Sequence, residues 1–136
     1  MLERAWQAGI QSILIPALDL ESAHRAIALA ESDARIFAAV GIHPNSGQAW
    51  NDVTLPGLRE IACHPRVCAI GEIGLDFYRD HTPPGVQLTI LKQQLALAAE
   101  VDKPVILHCR AAFDDLLLIL SEWHANLPET AVNLRR

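Results

Sequence analysis

Four short apolar runs, each followed by a segment of helical period, constrain this chain more than any other feature. The runs are Ile10–Leu18, Arg35–Val40, Val67–Asp76 and Pro104–His108. Each is too short for a buried helix and rich in β-branched or aliphatic residues, as a buried strand requires. After the first, Asp19 stands where a helix N-cap is wanted, and Ala23, Ala26, Ile27 and Ala30 recur at helical spacing. After the second come a polar loop, Asn45–Val53, carrying Trp50, and a short helix capped by Thr54, running through Leu58 and Ile61 and ended by His64-Pro65. After the third, a loop over Arg79–Gly85 leads to a helix over about Val86–Val101, with Leu88, Leu91, Leu95 and Ala98 on one face. After the fourth, Phe113–His124 reads as a helix with Phe113, Leu116, Leu117, Leu120 and Trp123 inward, and Asp114 and Asp115 in its first turn, where the helix dipole favours them. Met1–Ala8 reads as a helix tail closed by Gly9, and Leu127–Arg136 has no assignable element. The order is a helix, then strand–helix four times. Such alternation implies a parallel sheet with right-handed crossovers. Two architectures use it, an open doubly wound sheet and part of a (β/α)8 barrel, and both carry function at the C-terminal strand ends.

The 136 residues suffice for one domain with a core, and 51% hydrophobic content excludes a disordered chain. A net charge of −5 argues against gripping nucleic acid by basic charge alone. Bound metal ions, which bring their own positive charge, would still hold a substrate phosphate. The three cysteines, Cys63, Cys68 and Cys109, are odd in number and fit no zinc or redox spacing, which predicts buried free thiols in a reducing cytosol. The N-terminus reads as neither signal peptide nor anchor, and no apolar run is long enough to span a membrane, so the expected location is cytoplasmic.

The strand ends hold the chemistry. Val67–Asp76 places Glu72 between Gly71 and Gly74, with Asp76 beyond. A charge at the end of a buried strand is costly unless it meets a metal or a counter-charge, and flanking glycines let backbone and ligand approach closely. Glu72 is thus either a metal-binding carboxylate or a loop acid that satisfies nearby amides. His43 and His108 end two other strands. Imidazole and carboxylate converging from three strands on one rim are more specific than any one of them. Blander roles suit the rest. His24, His64, His81 and His124 read as structural or solvent residues, Asp76 as a turn cap or a support behind the ligands, and Cys109 as a thiol turned away from the face of His108. Trp50 reads as a cover over the strand ends, and Arg79 as a counter-charge for Asp76 or Asp80.

Three segments in order, Gly41-Ile42-His43-Pro44, Gly71-Glu72-Ile73-Gly74-Leu75-Asp76 and Pro104-Val105-Ile106-Leu107-His108-Cys109-Arg110, resemble the signatures of TatD-type metal-dependent hydrolases, a family of deoxyribonucleases. Gln87 and Gln94 also fit that family's pattern, and the resemblance runs from about Arg4 to Leu127. It implies a (β/α)8 barrel with a divalent-metal site at the C-terminal rim. By position it implies that Glu72 is the catalytic carboxylate that binds and can bridge two ions, that His108 is a metal ligand, that His43 lies near the substrate phosphate and that Arg110 contacts it. The implied cofactor is Mg2+, Mn2+ or Zn2+, two ions in a complete site, and the implied substrate is DNA or another phosphodiester. Two ions roughly 3.5–4 Å apart suit such hydrolysis, generating hydroxide and stabilising the leaving oxygen.

The departures carry equal weight. A complete barrel takes about 250 residues, against 136 here. The His-x-His pair expected on a first strand occurs nowhere in the sequence, and the later histidine and aspartate ligands are likewise missing. The expectation is therefore a single incomplete barrel domain over residues 1–136, holding strands two to five of eight and two of the metal ligands. An isolated chain of this kind is expected to be inactive. The alternative to a hydrolase is a non-catalytic half-barrel that self-associates through open sheet edges or completes a split enzyme. A free-standing α/β domain for a small phosphorylated ligand ranks last, because no glycine-rich phosphate loop follows any strand.

Overall fold

The computed structural model describes residues 2–127. Helix α1 (Leu2–Gln7) is followed by β1 (Ile13–Pro16), α2 (Leu20–Ser32), β2 (Ile36–Val40), a 3-10 helix (Pro44–Ala49), α3 (Thr54–Ala62), β3 (Val67–Asp76), α4 (Pro84–Glu100), β4 (Val105–Arg110) and α5 (Phe113–Ala125). The four strands form one parallel sheet in the order β1-β2-β3-β4. Sequential order with helical crossovers is the winding of a barrel, whereas a doubly wound sheet reverses direction. The molecule is a curled half-barrel. Its core joins Ile36, Val40 and Ile42 from the second strand and its exit to Ile70, Ile73 and Leu75 of β3 and Leu91 and Leu95 of α4, all essentially inaccessible. Each such side chain contributes about 1.5–3 kcal/mol by leaving water.

Local signals decide several boundaries. Gly9 takes φ +88°, and the Gly9 and Ile10 amides donate to the Trp6 and Ala5 carbonyls, closing α1. Asp19 Oδ1 accepts from the Ser22 amide at 2.7 Å while Ser22 Oγ accepts from the Asp19 amide at 3.0 Å, a reciprocal cap on α2.

Elsewhere the structure corrects the sequence reading. The first strand is four residues long rather than nine, because Ile10 is tied into the closing turn of α1. Part of the polar loop after His43 coils into the 3-10 helix, with Pro44 at its start supplying a preset φ. Thr54 does not cap α3: it is the first helical residue, and its hydroxyl accepts from the Asn51 amide at 3.0 Å. Helix α4 begins at Pro84, where a missing N–H costs nothing. On α5 the buried residues are Leu116 and Ile119, while Phe113 and Leu117 are exposed, since only one stripe of this apolar helix finds a partner. All three cysteines are exposed free thiols rather than buried ones. Val67 and Ala69 face the helices, so alternation turns Cys68 to the uncovered face, and Cys109 lies on the edge strand. Leu127 is the last described residue, and the rest of the Leu127–Arg136 tail lies outside the described residues.

Candidate metal centre

The ends of β2 and β3 are each fixed from behind by a buried side chain. Beyond β2, the His43 amide donates to the Leu18 carbonyl at 3.0 Å, and His43 Nδ1 accepts from the Asn45 amide at 3.1 Å. Among the described residues, this leaves the other ring nitrogen of His43 free to meet a ligand. Ile42, just before it, is gripped on both backbone groups by Gln94 of α4: Oε1 accepts its N–H at 2.7 Å and Nε2 donates to its carbonyl at 3.1 Å. Gln87, two helical turns earlier on the same face, treats Asp76 the same way, at 2.8 Å and 3.0 Å, and also donates to the Thr82 carbonyl. Both glutamines are essentially inaccessible. Buried amides on an otherwise apolar face are stable only because every polar atom is paired.

Strands β3 and β4 come together through two glycines. A Cβ on Gly71 would sit 2.6 Å from the Ile106 Cβ, and one on Gly74 would collide with the His108 carbonyl. Gly74 also has φ +146°, which side-chain-bearing residues rarely adopt. The resulting register sets Gly74 opposite His108 and Asp76 opposite Arg110. The Gly71–Glu72 peptide is cis, and the Glu72 amide donates to the Ala17 carbonyl at 3.2 Å.

His43, Glu72 and His108 therefore converge. Each offers a donor atom, and these atoms all lie within 4.8 Å of one another. The His43 and His108 rings meet edge to face with centroids 4.4 Å apart. His108 stands between two carboxylates, its Nδ1 3.1 Å from Glu72 Oε1 and its Nε2 3.1 Å from Asp76 Oδ2. Asp76 is 1% exposed. Its carboxylate also accepts from Asn45 Nδ2 at 3.1 Å and from the Tyr78 and Arg79 amides at 3.1 and 3.0 Å. Burial pushes the Asp76 carboxyl up, but those hydrogen bonds outweigh it and hold it below its ordinary range. Burial lowers the His43 pKa from its ordinary value, and the neighbouring His108 lowers it further, against the opposing pull of Glu72 and Asp76. The neutral imidazole is the form of histidine that serves as a metal ligand.

The donor set fits a divalent ion. Two imidazoles and a carboxylate suit Zn2+ or Mn2+, and three protein ligands is the usual number in an open catalytic site. The Asn45 side-chain oxygen is buried beside this group and has no partner among the described residues. Sequence reasoning counted two ligands, Glu72 and His108, and set His43 at the substrate phosphate. The structure brings all three within one ion's reach.

Arg110 lies outside the cluster. It is exposed, with its guanidinium 3.8 Å from the centre of the Tyr78 ring. Arg79 meets Asp76 through its backbone N–H, and its guanidinium lies 5.9 Å from the same ring. Asp76 caps the turn into Tyr78 and Arg79, and its other oxygen meets His108 Nε2. His64 pairs with Glu31 at 3.2 Å, away from the site, and Trp50 packs partly buried against the core. Asn45 and the clamping role of the two glutamines were missed. The signal was present for the latter: polar residues seven apart, at positions 87 and 94, interrupting the apolar face of α4.

Comparison with known proteins gives a consistent picture. The family model described as TatD related DNase matches residues 1–132. A protein of Cronobacter turicensis named 3'-5' ssDNA/RNA exonuclease TatD is 41% identical over 128 residues, which are 94% of this chain and 49% of that protein. Its namesake in Enterobacter lignolyticus is 39% identical over the same coverage. The chain thus spans about half the length of the curated relatives it matches. Among solved structures, the TatD homologue YJJV of Escherichia coli K12 superposes with a TM-score of 0.85 at 40% identity, over 90% of this chain and 48% of that one. A TatD family hydrolase of Entamoeba histolytica gives a TM-score of 0.76 at 27% identity, over 92% of this chain and 45% of that one.

Proposed function

This chain belongs to the TatD-related DNase family, and from that premise we propose that its strand-end cluster serves divalent-metal-dependent hydrolysis of phosphodiesters in single-stranded nucleic acid. The observation that carries the reading is the convergence of His43, Glu72 and His108 donor atoms within 4.8 Å. The exonuclease names of the relatives, which are 39% and 41% identical to this chain, support the substrate class.

In this reading Glu72 and His108 hold the metal, with Glu72 as the carboxylate able to bridge a second ion. His43 joins them or lies against the substrate phosphate, and Arg110 is the phosphate contact beyond. Mg2+, Mn2+ and Zn2+ all suit the donors, with two ions in a complete site. A divalent ion bound there supplies an acidified water and a Lewis acid for the phosphoryl oxygens. The chain's own residues do the rest. Asp76 orients the His108 ring through its far nitrogen, as a carboxylate behind a metal-binding histidine does. The Gln94 clamp sets the backbone from which His43 projects. Three free thiols favour a reducing compartment, the cytoplasm.

The test is cleavage of a labelled single-stranded oligonucleotide with and without Mn2+ or Mg2+. Metal-dependent cleavage that disappears in Glu72→Ala and in His108→Ala is expected. Cleavage that survives both changes would refute the reading.

A specific observation favours a second reading, self-association. Strands β1 and β4 each have one unpaired edge among the described residues, and Leu14 and Leu107 on them are 42% and 36% exposed. Open parallel edges with apolar side chains recruit further strands. Sedimentation velocity across a range of concentrations tests it: a monomer throughout would count against association.

A further inference from the structure

Beside the metal cluster lies a second group of side chains, of which the proposed reaction uses only Arg110. Tyr78 lies two residues past the end of β3 and is 65% exposed. Its ring carries the Arg110 guanidinium at 3.8 Å, and the Arg79 guanidinium comes to 5.9 Å. Two cations gathered at one open aromatic ring stand out in a chain of net charge −5.

The backbone under this group is fixed. Asp76 accepts hydrogen bonds from both the Tyr78 and Arg79 amides. Opposite, Arg110 is the register partner of Asp76, and its carbonyl accepts from the Phe77 amide at 2.9 Å. Asp76 is also the carboxylate that meets His108. The buried Asp76 side chain therefore ties the backbone of Tyr78 and Arg79 to the metal cluster, and the β3–β4 ladder fixes Arg110 beside them.

We propose that Tyr78 is a stacking platform for an unpaired nucleobase, with Arg110 and Arg79 receiving the phosphates that flank it. The proposal rests on the phosphodiester hydrolase reading and adds how the substrate strand is gripped. Three properties point to a base rather than to phosphate alone. An aromatic face open to solvent adds nothing to binding a bare phosphate, whereas stacking on it is available to every base and is indifferent to sequence. Arg110 lies over one face of the ring and carries a planar fork of donors suited to the phosphate of a nucleotide stacked on the other face. The bases of a duplex are already stacked on each other, so the platform selects single strands.

Equilibrium binding of the 136-residue chain to end-labelled oligonucleotides in metal-free buffer, read by fluorescence anisotropy, tests this without hydrolysis. The probes are an eight-nucleotide oligothymidylate, the same backbone with abasic sugars, and a thymidylate–adenylate duplex. The single strand should bind more tightly than either of the others. Tyr78→Ala should weaken binding of the base-bearing single strand by roughly tenfold and leave the abasic strand unchanged, in line with the usual worth of one stacked base. Tyr78→Trp should restore the preference, and Arg110→Gln should weaken both single strands. The exposed position of Tyr78 means that its replacement leaves the fold intact, which circular dichroism checks. Equal affinity for abasic and base-bearing strands, an equal loss on both in Tyr78→Ala, a duplex bound as tightly as the single strand, or no binding at all would each overturn the platform. The hydrolase reading stands or falls separately, on metal-dependent cleavage abolished by Glu72→Ala.

Discussion

Replacing Gln94 by leucine isolates the device that positions His43. Gln94 is inaccessible to solvent and makes two hydrogen bonds, both to the backbone of Ile42. Leucine is close in size and better suited to an apolar site, so little cavity term arises. What remains is one N–H and one carbonyl of Ile42, buried without partners. Leaving a buried backbone group unpaired costs about 1–3 kcal/mol each, hence about 2–6 kcal/mol for the two. Relief from desolvating an amide offsets part of this, giving an expected loss of about 2–4 kcal/mol. That is a large fraction of the roughly 5–15 kcal/mol typical of a domain. The assay is urea unfolding followed by circular dichroism, with Gln93→Leu as control. Gln93 is the next residue on the same helix, half-buried and without a hydrogen-bond partner among the described residues, so its replacement should stay within about 0.5 kcal/mol. Because Ile42 precedes His43, Mn2+ binding measured on folded Gln94→Leu should weaken as well. A Gln94→Leu protein within about 0.5 kcal/mol of the parent, with unchanged Mn2+ affinity, would refute both the clamp and its link to the site.

Three further perturbations follow from the geometry. Gly74→Ala adds a Cβ that collides with the His108 carbonyl at a φ of +146°, so soluble folded protein should be lost, and a normal thermal transition would contradict the β3–β4 register. Asp19→Ala removes the reciprocal cap on α2 and should cost about 1 kcal/mol in the same urea assay, with Asp19→Asn recovering most of it. Asp33 has its pKa lowered to about 2, chiefly by the hydrogen bond from the Arg35 side chain and then by the Arg35 amide. A carboxylate held lower in the folded chain than in the unfolded one contributes stability that is full above its ordinary pKa and lost as pH falls through the folded value. Asp33→Asn should therefore flatten the fall in stability between about pH 4 and pH 2, and an unaltered acid-unfolding profile would show that the pair contributes nothing.

The parts of this molecule that follow local rules were legible in its sequence. The strand–helix alternation gave the parallel winding, and Gly9 and Asp19 lie where their neighbours in sequence demanded, whereas Glu72 and His108 sit within β3 and β4 rather than at their ends, and still converge with His43. What escaped depends on contacts distant in the chain. The Thr54 hydroxyl has a competing partner in the Asn51 amide, which a capping rule does not foresee. Leu117 and Phe113 satisfy a helical period as well as Leu116 and Ile119 do, and only the placement of α5 against its neighbours decides between them. Cys68 and Cys109 came out exposed because their burial depends on what covers the sheet's other face, a tertiary matter. Asn45 was read as loop, yet the 3-10 helix swings its amide onto Asp76, 31 residues away.

The same distinction explains why the cluster is well defined on a sheet of four strands. His43, Glu72 and His108 come from β2, β3 and β4 or the residue run just past them, three consecutive strands. Their mutual positions require only two registers to be correct. In a parallel sheet a slip of one residue turns every side chain to the opposite face, which here would replace His108 by Leu107 or Cys109 at the cluster. Gly71 and Gly74 prevent that slip, because only glycine tolerates the approach of Ile106 and of the His108 carbonyl at those two positions. Gln94 and Gln87 then hold the ends of β2 and β3 at fixed heights against a single helix, α4. The geometry of the donors is thus set by β2, β3, β4 and α4. The strength with which they hold an ion is a separate matter, set by how many further ligands meet them, so a weak metal affinity in this chain would coexist with an unaltered cluster.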